Sequence, residues 1–250
     1  MHANGEHLLA DTKLQKLIIR LDFFSFNDAR LEQGSSSTAI IGKNTLGRAL
    51  PETSFSLEAL NGSQKTLRSS YAQKDVYHQS NGFFLRKLKN LSAEEAITST
   101  VKRFLTPGSF YLPFTHTDRS LKNLDMLVVQ AKEKGVLVGM FILPTHVALM
   151  EILNIIGLWE NYEDWARQLT VIAEKHSFKL WDFGRYTKIT TVPLATSQRN
   201  FFNGGHYRPY IGKLILITLD RMEKSHSFEH RLSKQNIKSR LINHRKKTTI

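Results

Sequence analysis

The stretch "GVLVGMFIL", residues 135–143, is a nearly continuous apolar run that starts at Gly135 and stops at Pro144. A run with no polar alternation is what a parallel strand covered on both faces requires. Two shorter segments share its character: "KLIIRLDFF" (16–24), with a charge on either side of its centre, and "FKLWDF" (178–183). Helical spacing lies between and after them. "SLKNLDMLVVQAKEKG" (120–135) puts Leu121, Leu124, Leu127 and Val128 on one side and closes at Gly135, the residue type that ends helices most readily. "ENYEDWARQLTVIAEKH" (160–176) repeats Tyr162, Trp165, Leu169 and Ile172 at steps of three and four. Its acids come early and its bases late, as the helix dipole favours. Pro209 suits the first turn of a third helix, "RPYIGKLILITLDRM". Strands alternating with helices predict an α/β fold with a mostly parallel sheet.

Around this frame the reading is looser. Residues 71–118 predict an irregular insertion or lid with one helix around 92–104, within a single domain over 1–222. Residues 223–250 predict a basic, flexible tail. The chain carries 35 Lys and Arg against 22 Asp and Glu, a formal charge of +13. Nine bases against three acids place +6 of it in residues 220–250. There is no cysteine, which excludes disulfides, thiolate zinc sites and cysteine nucleophiles. No apolar run approaches the roughly 20 residues that span a bilayer, and the first residues do not read as a signal peptide. The expectation is a chain that stays where it is made, cytoplasmic as written.

In an open parallel sheet, reactive groups collect just beyond the carboxyl ends of the strands. The segments there are "DFFSFND" (22–28), "PTHVALME" (144–151), and "DFGRY" through "NGGHYRP" (182–209). They contribute Asp22, Asn27, His146, Asp182, Asn203 and His206. Each has an ordinary reading as well. His206 is a base or a polar turn residue. His146 faces substrate, or it is exposed beside a helix capped by Thr145. Asp22 and Asp182 bind a ligand or end a strand, and Trp159, Trp165 and Trp181 pack the core. No P-loop or dinucleotide glycine pattern occurs, and neither cofactor nor metal is expected.

Taken in order, "LDFFSFND", "SFSLEALNGSQKTL", "LPTHVALMEILNIIGLWENYEDWARQL", "LWDFGRYTKITTVP" and "FFNGGHYRPYIGKLIL" resemble the SGNH (GDSL-like) hydrolases, close to bacterial members related to cell-surface O-acyl transfer. The resemblance runs from about residue 16 to 219. It implies a three-layer α/β/α sandwich of flavodoxin-like type and chemistry on an acyl ester or carbohydrate substrate. It places His206 at the catalytic histidine and Asn203 where the family carries an acid, with Asp182 as a substitute acid. Asp22, Asn27 and His146 fall to substrate binding, Asn27 and Asp28 resembling the family's oxyanion asparagine block. Two departures stand out. Asn203 is an amide, and no "GDS" phrase precedes the first matching strand. The serines of "QGSSST" (33–38) follow the wrong strand. The expectation is therefore a member lacking its first two strands and its serine, catalytically impaired, with an oligomer or partner chain covering strand 16–24. The alternative is a non-enzymatic module that binds nucleic acid or acidic membrane through its basic tail.

Overall fold

The computed structural model describes residues 13–29, 91–108, 110–115, 117–221 and 230–245, with positions 9, 64 and 67. The chain divides into two compact units, residues 1–33 with 91–250 and residues 34–90, and the central sheet with the helices that flank it belongs to the first. The insertion expected over 71–118 therefore divides differently: 91–118 belongs to the main unit, and 71–90 lies outside the described residues.

The fold is mixed α/β with a mostly parallel sheet. Strands β1 (Lys16–Leu21), β2 (Leu137–Ile142) and β3 (Lys179–Asp182) run parallel, paired in register from Lys16 with Leu137 to Ile142 with Asp182. "GVLVGMFIL" supplies the strand between the other two. Its side chains alternate between two cores, as a pleated strand with apolar cover on both sides must. Val138, Met140 and Ile142 join one cluster with Leu124 and Val128 of α2 (Asp118–Glu133) and Trp165 and Leu169 of α4 (Trp159–Lys175). Phe141 and Leu143 join a second cluster with Ile211, Ile215 and Leu219 of α5 (Pro209–Arg221). Trp159, Trp165 and Trp181 are all buried.

α5 packs on β2 and β3 and meets β1 at Lys16, whose Nζ donates to Asp220 Oδ1 (3.1 Å). Ile19 and Leu21 are buried on the α2 and α4 side, whereas Ile18 is 38% exposed. The strand, read as apolar and expected to need a covering chain at its open side, is the sheet's edge among the described residues. Its turn (Phe23–Phe26) leads to Asp28, whose carboxylate caps α2. Asp28 Oδ2 accepts from the Arg119 N–H (2.8 Å), and Oδ1 accepts from the Ser120 N–H (3.0 Å) and hydroxyl (2.6 Å). A charge-assisted cap of this kind satisfies amides at the positive end of the helix dipole.

The expected helix around 92–104 is α1 (Ala93–Leu105). It opens on a capping box in which Ser92 Oγ accepts from the Glu95 N–H and the Glu95 carboxylate accepts from the Ser92 N–H. α3 (Val147–Ile155) follows β2. The carboxyl-terminal expectation needs correcting. Instead of a frayed tail, residues 230–245 form β6 (His230–Leu232), antiparallel to β3, and α6 (Ile237–Arg245). Ile237, Arg240, Leu241 and His244 of α6 are buried, a spacing of three, four and seven that puts one face inward. Residues 222–229 and 246–250 lie outside the described residues. No helix among those described is long and apolar enough to cross a membrane.

Candidate active site

Residues 201–207 fold into a hairpin, β4 (Phe201–Asn203) and β5 (His206–Tyr207), turning on Gly204 and Gly205. Burial of Phe201 and a hydrogen bond from the His146 N–H to the Gly204 carbonyl (2.9 Å) fix the turn against the loop that follows β2. Gly204 packs close against Leu149. A Cβ would stand 3.1 Å from Leu149 Cγ, closer than carbon atoms normally pack.

Asn203 and His206 come together across this turn. Asn203 Oδ1 accepts from the Gly205 N–H (3.1 Å), which identifies it as the oxygen, and lies 2.8 Å from His206 Nδ1. An amide oxygen only accepts, so Nδ1 carries the ring proton and Nε2 carries the lone pair. The exposed imidazole is thereby set in the tautomer of a general base acting through Nε2.

Asp182 does not join this pair. It is buried at the end of β3, where Oδ2 receives Arg240 Nη2 of α6 and Oδ1 accepts from the Gly184 N–H at 2.8 Å. Burial alone would raise its carboxyl, yet the Arg240 guanidinium, with His244 and the Gly184 amide, holds it below the usual carboxylate range. Asp182 is a strand-end carboxylate in a buried ion pair, not an acid for His206.

Two of the residues expected to bind substrate are committed elsewhere. The buried His146 ring caps α3. Its Nδ1 accepts from the Ala148 N–H (3.2 Å), so Nε2 carries the proton and donates to the Val192 carbonyl (2.8 Å). Burial lowers its pKa, against the opposing pull of that carbonyl. With both ring nitrogens engaged, His146 is neither exposed nor available to a ligand, and the cap is His146 itself rather than Thr145. Asn27 is wholly buried. Its Nδ2 donates to the Phe110 (3.3 Å) and Pro113 (2.8 Å) carbonyls, and its Oδ1 accepts from the Ala29 and Thr115 amides, both at 3.3 Å. Two donors and two acceptor positions are all an amide has, so Asn27 clips two loops together and leaves nothing for an oxyanion.

Asp22 does face a cavity. With Thr145, Gly184 and Gly205 it lines a small cavity of about 40 Å³ at the carboxyl ends of β1, β2 and β3. Its Oδ1 accepts from the Ser25 hydroxyl (2.6 Å), and Arg20 stands 3.6 Å from Oδ2. Behind it are the buried phenols of Tyr111 and Tyr162, both raised well above the ordinary tyrosine value. Burial does this first, reinforced at Tyr111 by the charge of Asp22 and at Tyr162 by that of Asp182. The hydroxyls among the lining residues are those of Thr145, Tyr111 and Tyr162; no serine among the described residues lines the pocket. Ser35, Ser36 and Ser37 lie outside the described residues. No group of three or more His, Asp or Glu side chains among the described residues is placed to hold a metal ion.

Sequence reasoning missed Glu163 and Arg240, and it grouped Asp28, the cap of α2, with an oxyanion block. Glu163 is buried on α4, where it accepts from Trp159 Nε1 (3.1 Å), from Arg167 (2.8 Å), and from Arg245 of α6 through two bonds (3.1 and 3.0 Å). An acid at "NYEDW" on a helix otherwise apolar on that side was the available signal. Compared with models of protein families, with curated proteins and with solved structures, the chain has no match.

Proposed function

We propose that this chain is an SGNH-hydrolase-like domain of three-layer α/β/α type. Its family chemistry is ester hydrolysis or O-acyl transfer on a carbohydrate or cell-surface substrate, and its catalytic apparatus is impaired. The observation that carries the reading is the Asn203–His206 pair. It sits in a turn that follows β3, beside a pocket at the carboxyl ends of parallel strands, and leads into a helix that packs on the sheet. In that reading His206 Nε2 takes the proton from the attacking hydroxyl or water, and Asn203 holds the ring by Nδ1.

The impairment has two sources. No serine lines the pocket among the described residues. Asn203 also supplies an amide dipole where a carboxylate would balance the imidazolium formed on proton transfer. In serine proteases that exchange lowers turnover by about 10⁴. The edge strand β1, open on one side among the described residues, is where a partner chain or second copy would add strands in this reading.

Hydrolysis of a short activated ester tests the assignment. The native chain is expected close to the uncatalysed rate, with Asn203→Asp raising it at least tenfold and the added His206→Ala abolishing the gain. A rate indifferent to both substitutions removes His206 from the chemistry. The alternative, a module binding nucleic acid or acidic membrane, loses part of its basis. Of the basic segment's cations, Arg240 is buried against Asp182 and Arg245 is held by Glu163.

A further inference from the structure

Arg208 leaves the hairpin two residues after His206. Its N–H donates to the Asn200 carbonyl (2.7 Å), which carries the pairing of β4 and β5 one residue further. Along an extended chain, residues two apart point the same way. Tyr207, between them, packs into the cluster of Phe141 and Ile211. His206 and Arg208 therefore share the opposite face, on which His206 is exposed. There the Arg208 guanidinium lies over the Phe202 ring, 4.2 Å from its centroid, and Nε donates to the Gln198 carbonyl (2.8 Å). The ring fixes the plane of the group and the carbonyl fixes one edge of it. Neither Nη has a partner among the described residues. This part of the chain also brings no competing acid. From Phe183 to Leu219 it has no Asp or Glu and five cations, Arg185, Lys188, Arg199, Arg208 and Lys213. An arginine held flat with two donors unspent is shaped for two oxygens of one anionic group, and its side-chain freedom is given up before a ligand arrives.

We infer that Arg208 anchors an oxyanion carried by the substrate, a uronate carboxylate or a phosphate on a sugar, beside His206. That the carrier is a sugar rests on the function proposed above; that the group is anionic rests on the guanidinium and the charge around it. Arg208 touches no reacting atom in this role. It holds a remote part of the substrate so that the ester stays within reach of His206.

The test is an NMR titration of the isotope-labelled native chain, following the Arg208 Nε–H signal, with methyl glucuronide, glucose 6-phosphate and the uncharged methyl glucoside. At least one charged sugar is expected to shift that signal and to bind about tenfold more tightly than the glucoside. The tighter of the two identifies the group as carboxylate or phosphate. Arg208→Gln is expected to abolish the preference, and Arg208→Lys, a charge without the planar donor pair, to keep about threefold of it. Equal affinities on the native chain, or no shift with either charged sugar, overturn the inference without any variant having to fold. A preference that survives in Arg208→Gln overturns it too. A residue that only braced the turn Leu194–Arg199 through Gln198 would give no preference for charge. The two proposals fail separately. Equal affinities beside a His206-dependent esterase sink the anchor alone. A charge preference lost in Arg208→Gln, with no His206-dependent hydrolysis, leaves an anionic-sugar site and sinks the hydrolase reading.

Discussion

Arg240→Met removes the cation that lies against Asp182 while keeping an unbranched side chain of similar reach on α6. The carboxylate is then left with the Gly184 amide as its described hydrogen-bond partner, in a place where both side chains of the pair are about 5% exposed. Breaking a buried pair from one side costs about 3–5 kcal/mol, because the remaining charge keeps its desolvation penalty and loses its compensation. With a urea dependence of about 2 kcal/mol per molar, the unfolding midpoint falls by about 2 M. The melting temperature falls by about 10 °C. Adding Asp182→Asn should restore at least half of the loss, since a neutral amide can still accept from Gly184 without a counter-charge. Urea unfolding followed by circular dichroism on the native chain, both single variants and the double variant completes the cycle. The pH dependence follows the same logic. The folded carboxyl is depressed, so its contribution is present above the unfolded value of about 3.9 and is lost as pH falls through the folded one. A cost below about 1 kcal/mol for Arg240→Met, with no rescue in the double variant, would show that water reaches this pair and that α6 does not seal it.

Three further substitutions probe the rest of the site. His146 is depressed by burial, so the unfolded chain binds the extra proton first. Stability is full above the ordinary histidine value of about 6.5 and declines as pH falls below it. In His146→Asn, which keeps a capping side chain, the melting temperature should lose less between pH 7 and pH 5 than in the native chain; equal slopes refute the buried cap. Asn27→Ala strands two carbonyls and two amides at once and should cost about 3 kcal/mol in urea unfolding, without altering β1 itself. Gly204→Ala forces a Cβ to 3.1 Å from Leu149 and should lower stability by about 1–3 kcal/mol, with a larger fractional loss of any His206-dependent rate, since the turn that carries the base must shift.

The periodic parts of the fold were legible in the sequence for a simple reason: a strand buried on both faces and a helix buried on one leave unambiguous apolar spacing. "GVLVGMFIL", Leu121 through Val128, and Tyr162 through Ile172 all fall where their patterns place them. The Asn203–His206 juxtaposition was legible because its partners are three residues apart across a glycine turn. What escaped notice depends on partners far away in sequence. Arg240 and Arg245 read as a solvated basic tail because Asp182 and Glu163 lie 58 and 82 residues earlier. Asn27 looked like an oxyanion donor because its contacts are with residues 83 to 88 positions later. His146 was misassigned because a histidine can cap a helix through Nδ1 only if a carbonyl such as that of Val192 fixes its other nitrogen, and no local pattern announces that carbonyl. Trp165 was correctly read as core, but its unanswered N–H is visible only with the surrounding atoms in place.

The grip of Asp182 on both Gly184 and Arg240 bears on synthesis. A polypeptide leaves the ribosome amino end first, so β1 to β3 and the hairpin are all made before residue 240 emerges. During that interval the carboxylate lacks its Arg240 partner, and the Gly184 amide that lines the cavity is held by an acid whose buried ion pair is not yet made. α6 therefore finishes a part of the molecule whose strands translation completed long before.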